Sequence, residues 1–81
     1  MPSRSELPGQ LSRTKFLHAL HRLGFDINTV GGKGDHFKVT WPATQKSVTV
    51  DADLRKNVLY YLLKEIFVIS GVTWEQIKER L

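Results

Sequence analysis

The spacing of apolar residues changes on either side of Gly24, and this change constrains the fold of the 81-residue chain most. Before Gly24, the segment SRTKFLHALHRL (12–23) has apolar residues at helical spacing, with Ser12 placed to cap the helix. After Gly24, the segment HFKVTW (36–41) alternates polar and apolar residues, as a strand with one buried face does. A chain with both patterns must combine helix and sheet, so the sequence predicts an α+β fold.

Two further segments favour strands, FDINT (25–29) and SVTVD (47–51). The glycines of GGKG (31–34) predict a turn between the first strand and HFKVTW, because glycine adopts positive φ at little cost. We therefore expect a three-stranded antiparallel meander with helices on one face. Its other face would be polar and would carry His36 and Lys38.

A second helix is predicted to begin at Leu54, with Asp53 as its cap, and the nearby Asp51 is explained by the same helix start. One face against the sheet cannot bury all the apolar residues of this helix, and those outside its main stripe are Tyr60, Tyr61, Phe67 and Val68. Two interpretations follow. Either the helix is covered on two sides, or the β-branched and aromatic run IFVI (66–69) leaves the helix.

The two ends of the chain complete the expected order of elements, α-β-β-β-α with a short C-terminal helix. Thr73 and Gln76 fit a capping box, which predicts the last helix. Residues 1–11 contain two prolines and a glycine among polar residues, which is typical of a flexible N-terminal arm. Residues 12–81 are predicted to form a single domain, because no linker or repeat divides them.

The composition excludes several classes of function. The chain has no cysteine, which rules out disulfides, thiolate catalysis and cysteine-ligated zinc. No apolar run approaches the length of a membrane-spanning helix, and the N-terminal residues lack the apolar core of a signal peptide. We therefore expect a cytoplasmic protein with no membrane partner.

The chain is basic, with a formal net charge of +4, and most of the excess lies in residues 1–40. Such a charge distribution favours an anionic partner, most commonly nucleic acid. GGKG does not indicate a KH domain, because strands rather than helices flank it, nor a P-loop, because no Gly-Lys-Ser/Thr opens a helix. The three histidines have no cysteine or paired carboxylate at ligand spacing, so we expect neither a metal nor another cofactor.

His36 is the candidate catalytic residue. It is predicted to lie on the open sheet face, beside the glycine loop, with Lys33 and Lys38 within reach. An imidazole accepts and donates protons near neutral pH, as RNA cleavage by internal transesterification requires. The two lysines would stabilise the charge on the phosphorus centre. An idle surface histidine beside a turn is the alternative interpretation.

The outer face of the first helix is the second candidate RNA-binding surface. It is basic and bears two imidazoles, which are three residues apart along the helix. The residues that we expect to contact RNA there are Lys15, His18, His21 and Arg22. A solvated helix surface without a ligand would show the same pattern.

The order and spacing of several segments resemble the HicA family, the RNA-cleaving toxins of HicA–HicB toxin–antitoxin pairs. The first helix closes with LHRLGF (20–25), and KGDHFKVTWP (33–42) follows. In the family, a Gly-Ser-His or similar triplet stands at this point, before an alternating strand and a proline. The strand SVTV (47–50), the helix LRKNVLYYLLK (54–64) and the segment SGVTWEQI (70–77) extend the likeness over roughly residues 11–80.

The resemblance implies a double-stranded-RNA-binding-domain-like α-β-β-β-α fold and a metal-independent endoribonuclease that cleaves mRNA. The family's catalytic histidine matches His36. The implied partners are mRNA and a HicB-like antitoxin that covers the active site. Two other functions remain open: a catalytically inactive RNA-binding module on the same fold, and a protein-interaction domain, which allows a homodimer.

Overall fold

The protein, whose structure is a computed structural model, is described over residues 2–30 and 36–81. The first helix, α1 (Arg13–Arg22), is followed by the strands β1 (Asp26–Val30), β2 (His36–Trp41) and β3 (Lys46–Val50). The helices α2 (Lys56–Ser70) and α3 (Trp74–Glu79) complete the chain. The α+β order and the short C-terminal helix are therefore as the sequence predicts. The predicted glycine turn and Lys33 lie outside the described residues.

The three strands form one antiparallel sheet in the order β1-β2-β3, which confirms the predicted meander. Each strand boundary differs from the prediction by at most one residue. The register pairs Val39 with Ile27 on one side and with Val48 on the other. These side chains share the face that the helices cover, and Val39 is fully buried. The opposite face carries exposed polar residues, as the alternation predicts.

The core lies between this sheet and the helices. Phe16 and Leu20 of α1 join Leu59 and Leu63 of α2 in one buried cluster with the valines of the sheet. The cap of α1 is as predicted, since Ser12 accepts a hydrogen bond from the backbone N–H of Lys15. The predicted capping box of α3 is also present. These helix termini fix the ends of the elements that cover the sheet.

The start of α2 differs from the prediction. The helix begins at Lys56, and Asp53 does not cap it but forms an ion pair with Arg55 at 2.6 Å. Leu54 is buried outside the helix, and its carbonyl accepts a hydrogen bond from the backbone N–H of Leu11. Pairing with the N-terminal segment therefore delays the first helical turn by two residues.

The second open question at α2 is also resolved, because IFVI (66–69) remains helical. Ile66 and Ile69 are buried, whereas Phe67 and Val68 are exposed. The other side of the helix is partly covered by the N-terminal segment, which we had predicted to be a flexible arm. Its Leu7 is buried, and a short 3-10 turn (Arg4–Glu6) lies against α2. The helix is thus covered on two sides.

Candidate functional site

His36 opens β2 on the polar face of the sheet, as the alternation predicts. Its side chain is 54% exposed, so the imidazole is accessible to a large ligand. The neighbouring residue Phe37 is half-buried on the helix side, which fixes the opposite direction for His36. The position of the imidazole therefore follows from the pleat of a strand whose other face is in the core.

The carboxylate of Asp51 lies beside this imidazole, with 3.5 Å between His36 Nε2 and Asp51 Oδ1. The contact follows from the hairpin register. Phe37 pairs with Val50, so the next residues outward, His36 and Asp51, lie opposite each other. The position of Asp51 beside His36 differs from the helix-start role that the sequence predicts for this carboxylate. The signal was present in the sequence: pairing across a four-residue turn after Trp41 brings these two residues opposite each other.

Lys38 is the second basic residue on this face. It is exposed, lies two residues after His36 on β2, and pairs in register with Asn28 and Thr49. All four side chains therefore point to the same side of the sheet. The polar face thus presents an imidazole, a carboxylate and an ammonium group within a short stretch of two strands. Lys33, the other predicted phosphate ligand, lies outside the described residues.

The α1 residues predicted to bind RNA lie on a different surface. His18 and His21 line a groove beside the sheet edge, together with Phe37 and Ile27, which belong to the helix-covered face. His36 points to the opposite face, so the structure does not bring these three imidazoles together. Residues 2–30 and 36–81 contain no group of three or more potential metal ligands.

The other two predicted residues of α1 have different surroundings. Lys15 is exposed on the helix surface. Arg22 is engaged at the end of the chain, where its Nη1 donates a 2.7 Å hydrogen bond to the backbone carbonyl of Arg80. Arg22 therefore links α1 to the region of α3, in addition to any contact that it makes with a ligand.

Exposed apolar residues mark a third surface, on α2. The exposed fractions of Tyr61, Phe67 and Val68 are 54%, 48% and 78%. Tyr61 and Val68 line a groove with Ser47 and Val48 of β3, which is an edge strand of the sheet. Within the described ranges, no helix is long and apolar enough to cross a membrane.

Comparison with models of known protein families, with curated proteins and with solved structures finds no match to this chain.

The site on the polar face has the parts that acid–base chemistry on an anionic substrate requires. An imidazole can transfer protons, an adjacent carboxylate can orient the ring, and the nearby ammonium group can attract a phosphate. His36, Asp51 and Lys38 are all exposed. Such exposure suits a polymer that lies across the sheet better than a small molecule, which a protein usually encloses in a concave pocket.

Proposed function

We propose that this protein is a HicA-like endoribonuclease toxin, with a double-stranded-RNA-binding-domain-like fold and His36 as its catalytic residue. One observation carries the proposal: an exposed imidazole lies on the polar sheet face, 3.5 Å from the carboxylate of Asp51, with Lys38 exposed on the same face. The basic charge of the chain, +4, supports an RNA substrate. The order of segments that resembles the HicA family supports the toxin class.

The proposed reaction is internal transesterification of RNA. His36 removes the proton from a ribose 2′-hydroxyl, and the 2′-oxygen attacks the adjacent phosphorus. The bond between phosphorus and the 5′-oxygen breaks, and that oxygen takes up a proton from water as it leaves. The products are a 2′,3′-cyclic phosphate and a 5′-hydroxyl end. This chemistry requires no metal, in keeping with the resemblance.

Asp51 and Lys38 have separate roles in this proposal. The Asp51 carboxylate faces Nε2, so it holds the ring with Nε2 protonated and leaves Nδ1 to accept the substrate proton. The Lys38 ammonium group attracts the phosphate and stabilises the additional negative charge of the pentacoordinate phosphorus. Lys15, His18, His21 and Arg22 are proposed to contact RNA away from the bond that is cleaved.

The proposed protein partner is a HicB-like antitoxin that covers the polar sheet face. Such coverage would block access of RNA to His36, because this imidazole is exposed in the chain alone. Inhibition would then require no conformational change in the toxin. The prediction is that bound antitoxin protects His36 from modification by diethyl pyrocarbonate.

The test of the proposed function compares the wild-type chain with His36→Ala and with the control Lys64→Ala, which removes a charge from α2. We expect induction of wild-type and Lys64→Ala to arrest growth and degrade mRNA, whereas His36→Ala does neither. Purified wild-type protein should give cyclic-phosphate ends on a synthetic RNA, with a rate about 100-fold or more above that of His36→Ala. Equal activity of wild type and His36→Ala would exclude His36 as the catalyst.

A second candidate function is protein interaction, which the exposure of Tyr61, Phe67 and Val68 favours. If RNA is neither cleaved nor bound, this surface becomes the main functional site. Retained RNA binding without cleavage in the wild-type protein would instead support the inactive RNA-binding module.

A further inference from the structure

The groove that His18 and His21 line lies between α1 and the β1 side of the sheet, on the helix-covered side and away from His36. Its volume is about 360 Å³. The groove is lined by side chains of α1 and by one residue from each of β1 and β2, and those that matter here are Arg13, Leu17, His18, His21, Ile27 and Phe37. This volume falls within the range of small-molecule sites.

The lining divides into an apolar part and a polar part. Leu17 is buried, and Ile27 and Phe37 are half-buried, so together they offer an apolar wall with one aromatic ring. The polar part is formed by Arg13 and the two exposed imidazoles of His18 and His21. A ligand that fits must therefore combine an apolar, preferably planar, portion with an anionic portion.

The contact between Arg13 and Phe37 supports a ligand with a planar portion and an anionic portion. The guanidinium carbon of Arg13 lies 4.8 Å from the centroid of the Phe37 ring. Proteins stack unpaired bases both on aromatic rings and on the guanidinium plane of arginine, and this groove contains both groups. The guanidinium also donates hydrogen bonds to phosphate oxygens, which suits the anionic portion of the same ligand.

We propose that this groove binds one unpaired nucleotide of the RNA, with the base against the apolar wall and a phosphate near Arg13. The inference rests on the proposed function, since it assigns a subsite to the same RNA substrate. A base within a duplex is stacked on both faces and paired along one edge, so it cannot enter the groove. The site therefore selects RNA that is single-stranded at this position.

The position of the groove relative to His36 determines what it recognises. Phe37 directly follows His36, yet the two side chains point to opposite faces of the sheet. An RNA strand that reaches both must pass around the sheet, so the bound base is separated from the cleaved bond by at least one intervening nucleotide. The groove thus adds affinity and base selection without a part in proton transfer.

The test measures nucleotide binding in the His36→Ala background, in which cleavage does not interfere. Titration with 5′-nucleoside monophosphates should shift the backbone NMR signals of Leu17, His21 and Ile27, whereas inorganic phosphate and the uncharged nucleoside should each shift them less. Arg13→Gln and His21→Ala, made separately, should weaken nucleotide binding about 10-fold, as expected from losing one stacking or phosphate contact. The control Lys64→Gln should leave it unchanged. Thermal unfolding of each variant checks that the fold is retained.

A short fluorescent RNA with single abasic positions provides the second measurement. One abasic position should weaken binding to the His36→Ala protein about 10-fold and should have a smaller effect in the His21→Ala background, because both changes weaken the binding of the same nucleotide. Equal shifts with phosphate and nucleotide, shifts confined to other surfaces, or preference for duplex RNA would each overturn the proposal.

The two proposals fail in different ways. If His36→Ala abolishes cleavage but Arg13→Gln and His21→Ala bind RNA as the wild type does, the groove assignment is wrong and the catalytic proposal stands. If nucleotides bind in the groove but His36→Ala cleaves RNA normally, the groove assignment stands and the catalytic proposal is wrong.

Discussion

The Nε2 atom of His36 lies 3.5 Å from Oδ1 of Asp51, and both side chains remain about half exposed. The contact joins the first residue of β2 to the residue after β3, so it depends on the register of the hairpin. In the proposed mechanism Asp51 is a positioning residue, because it acts on RNA only through the imidazole.

Asp51→Asn should lower kcat about 10-fold with little change in KM, because the ring loses its orienting charge while RNA contacts remain. Asp51→Glu should recover part of the rate. Glu79→Gln, at an exposed position of α3, is the matched control and should behave as wild type. An unchanged kcat in Asp51→Asn would contradict the positioning role.

Lys38→Ala should weaken the salt dependence of RNA binding. A lysine that contacts one phosphate of single-stranded RNA contributes about 0.7 to the slope of log affinity against log salt concentration. Fluorescence anisotropy in the His36→Ala background measures this slope without cleavage. Lys64→Ala should leave the slope unchanged, since Lys64 lies on α2 beside the β3 edge. Identical slopes for Lys38→Ala and its parent would exclude a phosphate contact by Lys38.

Leu7→Ala should lower the free energy of unfolding by about 2 kcal/mol, because the leucine side chain is only 4% exposed. Urea denaturation monitored by tryptophan fluorescence measures this change. The neighbouring Ser5→Ala, at an exposed position, should change stability by less than about 0.5 kcal/mol. A flexible arm would give no effect in either variant, so equal midpoints would contradict the packing of this segment on α2.

Gly71→Ala should cost about 1 kcal/mol in stability. Gly71 ends α2 with a φ of 78°, and a Cβ at this position would meet no atom within 4 Å, so the cost is one of backbone conformation alone. Gly71→Asn should cost less, because asparagine tolerates the left-handed region better. Gly9→Ala is the matched control, since its surroundings are equally open and its φ is not in the left-handed region. Equal costs at the two positions would contradict this reasoning.

Local patterns predicted most of the fold. The alternation in β2 and the caps at Ser12 and Thr73 depend on residues close in sequence, and the structure agrees with all three. The start of α2 was predicted wrongly because it depends on a distant partner. The backbone N–H of Leu11 donates a hydrogen bond to the carbonyl of Leu54, and no local sequence pattern predicts that hydrogen bond.

The candidate site was predicted in part for the same reason. The exposure of His36 follows from the alternation, whereas its contact with Asp51 requires the register of two strands. Which of the predicted residues share one surface was harder still to predict from the sequence. The sequence predicts the basic face of α1 as a second candidate surface but not its position relative to His36. In the structure, His18 and His21 line a groove with Ile27 and Phe37, which belong to the sheet face opposite His36.

The packing of the N-terminal segment has a consequence for biosynthesis. Arg4 donates a 3.0 Å hydrogen bond to the hydroxyl of Tyr61, 57 residues later in the chain. A nascent polypeptide that has not yet reached α2 has no partner for Arg4 or Leu7, and the valines of β3 remain open to water. The helix α2 must therefore be synthesised before the domain can fold completely.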